Sequence, residues 1–162
     1  MLPIVDFFGH AVTRLIDTIR KTGVPAGMAF HDPDNVRRAE REGWGADFYI
    51  LSPYNSRRNR RGRQSSFITG ESKADCLFYP EDRLIMFPII REIQKPVVVI
   101  KPFAGGQIFV GKPKEEYPAI AEQYLSEVFA NIKPIDIVCP GVFQRDTDQI
   151  HQNAEMVLRN LA

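Results

Sequence analysis

Between Asp6 and Lys21 the apolar residues Phe7, Val12, Leu15, Ile16 and Ile19 recur at the three- and four-residue steps of a helix, and Gly23 supplies a stop. The stretch VPAGMAF (24–30) predicts a short strand. In HDPDNVRRAEREGW, Asp32 stands where an N-cap belongs, Pro33 falls in the first turn and Gly43 can close a short helix. ADFYILSPYN predicts a second strand that ends in Pro53, Tyr54 and Asn55. Periodicity then lapses through RRNRRGRQSSFITGESKADCLFYP and resumes in EDRLIMFPIIREIQ, a third helix that Pro88 should bend or shorten. VVVIKPFAGG (97–106) follows. Its run of aliphatic residues fits a strand buried on both faces, with glycines to release the chain into a tight loop. EEYPAIAEQYLSEVFANI predicts a long amphipathic helix with Pro118 in its first turn. PIDIVCPG is a fourth strand, and DTDQIHQNAEMVLRNL a last helix capped by Asp146 or Thr147.

A helix followed by four strand–helix units predicts an α/β fold with parallel strands joined by right-handed crossovers. Two architectures satisfy that order: an open doubly wound sheet, or half of a (β/α)8 TIM barrel. A whole barrel runs to about 250 residues, and this chain has 162. The half-barrel reading makes residues 1–162 a single domain, a partial TIM barrel, interrupted by an irregular arginine-rich loop over 56–80. It leaves two strand edges unpaired, and such edges call for a partner. The expected partner is therefore a second copy or a complementary half-barrel chain.

Composition narrows the class. A net charge of +1 gives no global field for nucleic acid or membrane. Cys76 and Cys139 lie far apart without CxxC spacing, so neither a disulfide framework nor a zinc site is indicated. The start, MLPIVDFFGHAVTRL, lacks a basic n-region and a long apolar core, and no stretch approaches a membrane span. The expected location is the cytoplasm.

Parallel strands would bring their carboxyl ends together on one face: His31 and Asp32 after the first, Tyr54 and Asn55 after the second, Lys101 to Gly106 after the third, Pro140 and Gly141 after the fourth. His31, Tyr54 and Lys101 are the candidate catalytic residues, able to orient and polarise a carbonyl. Asp32 reads more simply as a cap. Lys101 also admits a bland reading as a rim lysine and a sharper one as a Schiff-base nucleophile for a lyase. The AGG after Lys101, together with Gly141 and Arg145 before the last helix, could grip phosphate. No GxGxxG or GxxxxGK[ST] is present. The run RRNRRGR (57–63) suits a solvated loop, or a lid over a phosphate-bearing ligand.

With these residues placed, the chain resembles the carboxyl-terminal half of the aldo/keto reductase superfamily, and a group of uncharacterised barrel proteins similar to it. GMAFHDPDNVRRAEREGWGADFYILSPYNSR resembles that family's fifth strand, helix and sixth strand; KPVVVIKPFAGG its seventh-strand segment; IDIVCPGVFQRDTDQIHQNAEMV its eighth strand and helix, including the pair Gln152–Asn153. VDFFGHAVTRLID would be a remnant of the preceding unit. The resemblance implies an oxidoreductase portion that binds NADP or NAD, with a small carbonyl compound as substrate. Cofactor contacts would come from Asn55, Lys101, Pro102, Phe103, Gly105, Gly106, Gly141, Arg145 and Asn153. The family's catalytic aspartate, tyrosine, lysine and histidine come from four units this chain lacks, so Lys101 does not inherit that lysine's role. Lys101 also replaces the family's usual serine, and the Lys-Ser/Thr-x3-Arg signature is missing after the fourth strand.

Overall fold

The computed structural model describes residues 4–55, 78–145 and 147–161. In chain order these form α1 (Ile4–Arg20), β1 (Gly27–Phe30), α2 (Pro33–Arg41), β2 (Phe48–Leu51), a 3-10 turn (Pro80–Asp82), α3 (Arg83–Glu92) and β3 (Val97–Ile100). Two further 3-10 segments (Ala104–Phe109 and Lys114–Glu116), α4 (Tyr117–Ala130), β4 (Ile137–Cys139) and α5 (Gln149–Leu161) complete them. The arginine run 57–63 and most of the irregular stretch 56–80 lie outside the described residues.

Local chemistry accounts for the helix ends. Asp32 is extended and accepts the backbone N–H of Asn35 at 3.0 Å, capping α2. Gly23 and Gly43 take left-handed backbone after α1 and α2, with φ of 85° and 64°. The cap of α5 differs from expectation: Asp148, rather than Thr147, accepts the N–H of His151 at 3.1 Å, and Asp146 lies outside the described residues. The helix begins at Gln149, so Asp148 is the last residue free to turn its carboxylate back onto the first turn. Pro88 sits inside α3 without ending it.

The four strands form one sheet in the order β1-β2-β3-β4, and every neighbouring pair is parallel. Register assigns the two faces. Met28 lies beside Tyr49 and Val97, Phe30 beside Leu51, Val99 and Val138. These residues share one face and belong to the main core, where Val12 of α1, Val36 and Ala39 of α2, Met86 to Ile90 of α3 and Val128 of α4 meet them. Met156 brings α5 onto α4 and Val138 in a second cluster. Full burial of Leu51, Val97 and Val99 removes roughly 1.5–3 kcal/mol worth of apolar surface per side chain from water.

The opposite face carries Gly27, Ala29, Phe48, Ile50, Val98, Ile100, Ile137 and Cys139. Among the described residues, none of its aliphatic or aromatic side chains belongs to either core cluster. The expected burial of residues 97–100 on both faces is therefore corrected: Val97 and Val99 are buried, Val98 and Ile100 only half-buried. The cause is that all the described helices pack on one side. A doubly wound sheet puts helices on both sides and switches its strand order; sequential parallel strands with one-sided helices are half of a (β/α)8 barrel.

Two aspartates staple the amino ends of the strands, away from the carboxyl-end loops. Asp47 accepts the N–H of Ala26 at 2.8 Å and pairs with the Arg20 guanidinium, which holds its carboxyl at about 2, mainly through that hydrogen bond. Asp136 accepts the N–H of Val97 at 2.9 Å and that of Lys133 at 2.8 Å. Among the described residues no helix is long and apolar enough to cross a membrane.

Candidate functional site

Beyond Ile100 the backbone departs from ordinary geometry. Lys101 and Ala104 take positive φ, 58° and 50°, and Gly105 and Gly106 follow at 63° and 88°. A left-handed non-glycine residue costs roughly 1–2 kcal/mol, and such strain gathers at working sites. The loop is held in place from its neighbours. Gly106 N–H bonds to the Phe103 carbonyl at 2.8 Å, and the Tyr54 hydroxyl donates to the Pro102 carbonyl at 3.3 Å.

The turn shapes one wall of a cavity of about 750 Å³ at the carboxyl ends of β3 and β4, between α4 and α5. That volume is within the range of small-molecule and cofactor sites. One side is aromatic: the rings of Phe103 and Phe109 lie 5.8 Å apart, and those of Phe109 and Tyr117 4.7 Å. Ala121 and Met156 floor it, and Gln152 and Asn153 bring amides from the first turn and a half of α5. Among the described residues Lys101 and Lys114 are the charged side chains in the lining, and no carboxylate joins them. Among the described residues neither ammonium has a carboxylate partner; Lys101 Nζ lies 5.9 Å from the centre of the Phe78 ring. The combination suits a ligand with a flat ring and an anionic group.

Gly141, on the far rim, adds to this. Its φ is not left-handed and a Cβ there would meet nothing within 4 Å, so neither conformation nor packing demands glycine. What its bare backbone leaves is room above the cavity. The amino end of α5 is a poorer anion site than the sequence suggests. Gln144 Oε1 accepts the Ile150 N–H at 3.1 Å, Asp148 takes that of His151, and the Asp148 carboxylate sits alongside. Gln144 is the main cause holding the Asp148 carboxyl below its ordinary range. The positive charge on the cavity therefore comes from the two lysines.

No family model, curated protein or solved structure matches this chain. Its own geometry sorts the expected site residues. Lys101, Phe103, Gly105, Gly106, Gly141 and Asn153 line the cavity together. Pro102, Asn55 and Arg145 stand outside its lining. Pro102 serves through its carbonyl to Tyr54, and the Asn55 N–H donates to Asp82 at 3.1 Å. The Arg145 guanidinium lies 5.2 Å from the centre of the Phe143 ring. Of the three candidate catalytic residues only Lys101 reaches the cavity. His31 is half-buried at the end of β1. Tyr54 is 1% exposed, and burial, the largest cause, pushes its phenol well above the ordinary range, so it stays a neutral donor.

Beneath the loop, the Arg83 guanidinium donates to Glu127 at 2.6 Å and lies over the Tyr124 ring at 4.6 Å. This partly buried brace joins α3 to α4 beside Tyr54. Lys114, Phe109 and Tyr117 join the strand-end residues only in the fold, because they follow the glycines by several residues. The available signal was a second lysine, KPK at 112–114, just before a helix that faces the same strand end.

Proposed function

We propose that this chain is the cofactor-holding half of an aldo/keto reductase-like oxidoreductase, and that NADP or NAD sits in the cavity at the ends of β3 and β4. The observation that carries this reading is the meeting of an aromatic wall, Phe103, Phe109 and Tyr117, with two cations, Lys101 and Lys114, in one cavity with no carboxylate among its described residues. The aromatic side chains would receive a ring, and the lysines a phosphate. Gln152 and Asn153 are placed to hydrogen-bond a base or ribose. When bound, a nicotinamide supplies the hydride for reduction of a small carbonyl compound. This chain's share is to bind and orient the cofactor.

Titration of the purified protein with NADPH and NADH, followed by cofactor fluorescence, tests the proposal. Saturable binding that weakens in Lys101→Met is expected. Absence of binding at millimolar cofactor sinks it. A second reading, a non-catalytic interaction module formed from a barrel remnant, is favoured by the uncovered sheet face; it predicts partner binding without cofactor binding.

A further inference from the structure

We infer that two copies of this chain close an eight-stranded parallel barrel about a twofold axis running along the strands. The observation is the uncovered face and the two edges that bound it. Each described helix packs on the other side of the sheet, so Phe48, Ile50, Val98 and Ile100 are only half-buried and Ile137 is 60% exposed. Among the described residues β1 and β4 each have one neighbour, so each offers an unpaired row of backbone groups.

A second copy answers both features at once. Because all strands run the same way, rotation about an axis parallel to them sets β1 of one copy beside β4 of the other, still parallel, and repeats the contact on the opposite side. Both edges are then paired and no third copy can add. Four strands from each copy give the eight at which side chains just fill a parallel barrel. Charge permits it: the face presents only Gly, Ala, Phe, Ile, Val and Cys, and the chain carries a net +1, so no like charges are driven together. The edges match in character too. Val24 ahead of β1 and Ile135 ahead of β4 are 52% and 53% exposed, and each would meet the other's strand.

The test needs no ligand. In the full chain with Cys76→Ser, Cys139 is the single thiol, and it is exposed on the uncovered face of β4. Light scattering from low to high micromolar protein should approach twice the mass of one chain, and labelling of Cys139 should slow by about tenfold or more as the dimer forms. Ile137→Lys should return a monomer with the parent circular dichroism and rapid labelling. Should that variant fail to fold, Ala29→Lys, on the opposite edge at an already exposed position, is read in its place. A folded monomer at all concentrations overturns the inference, whether Cys139 labels quickly or is covered within its own chain. Open-ended assemblies, or a dimer untouched by Ile137→Lys and Ala29→Lys, overturn it equally. Cys139 also lines the cavity, so labelling is read without added cofactor; the mass and its response to Ile137→Lys and Ala29→Lys do not depend on cofactor binding.

Discussion

Asp136 accepts the backbone N–H of Val97 at 2.9 Å, so the residue that leads into β4 also fixes the start of β3. The same carboxylate receives the Lys133 N–H and Nζ, each at 2.8 Å, and its side chain is fully buried. Lys133 Nζ donates onward to the Ile90 carbonyl at 2.6 Å, tying α3 into the network. Replacing Asp136 by Ala leaves the backbone N–H groups of Val97 and Lys133 without this acceptor and the mostly buried Lys133 ammonium with the Ile90 carbonyl but no counter-charge. A loss of about 2–4 kcal/mol is expected. Urea unfolding should show a lower midpoint with an unchanged slope.

The other staple sets part of the acid response. Asp47 has its carboxyl lowered to about 2, first by the Arg20 hydrogen bond and then by the N–H of Ala26. A group whose folded pKa is depressed contributes stability above its unfolded value, ordinarily 3.8, and loses it as pH falls toward the folded value. Melting temperature should therefore drop between about pH 4 and pH 2, and Asp47→Asn, less stable at neutral pH, should show a shallower drop over that window. Thermal scans of the two proteins across the acid range check this.

Tyr54→Phe keeps the ring against Phe78, 5.3 Å away and edge-on, and removes only the hydroxyl that reaches the Pro102 carbonyl. The expected cost is about 1 kcal/mol. Because that bond anchors the turn carrying Lys101, dinucleotide affinity should fall as well, with the change appearing mainly in the dissociation rate. Stopped-flow displacement of cofactor measures it.

Lys101→Gly separates stability from binding. Glycine accepts φ of 58° without strain, so relief of roughly 1–2 kcal/mol is set against greater freedom of the unfolded chain. Stability should stay level or rise. Loss of one of two lysines on the cavity should weaken dinucleotide binding by about tenfold and flatten its salt dependence. Chemical denaturation and titrations at two ionic strengths together decide it; a lysine that merely decorates the rim would leave binding unmoved.

Lys114→Met should weaken dinucleotide binding without any gain in stability, because Lys114 lies in an unstrained 3-10 turn. Comparing both lysine variants, and the double variant, by calorimetry shows whether the two cations contact one anionic group.

What the chain determined by itself is the order of its elements. Helical spacing in α1, the Asp32–Pro33 start of α2, the VVVI run of β3 and Pro118 at the head of α4 are local signals, and each acts within a few residues of where it is written. They also imply parallel strands, because each strand is followed by a helix. Local signals could not say which side of the sheet the helices would take. A β-branched run reads the same whether one face or both are covered, and register is set by contacts between residues far apart in sequence. Tertiary structure decided that, and so left Ile50, Val98 and Ile137 on an uncovered face. It also decided the cavity. Lys101 and the glycines after it were legible as a strand end, but their meeting with Lys114, Phe109 and Tyr117 depends on how the 3-10 segments fold back over that end. That depends on packing among Phe103, Leu125 and Met156, which no spacing rule encodes.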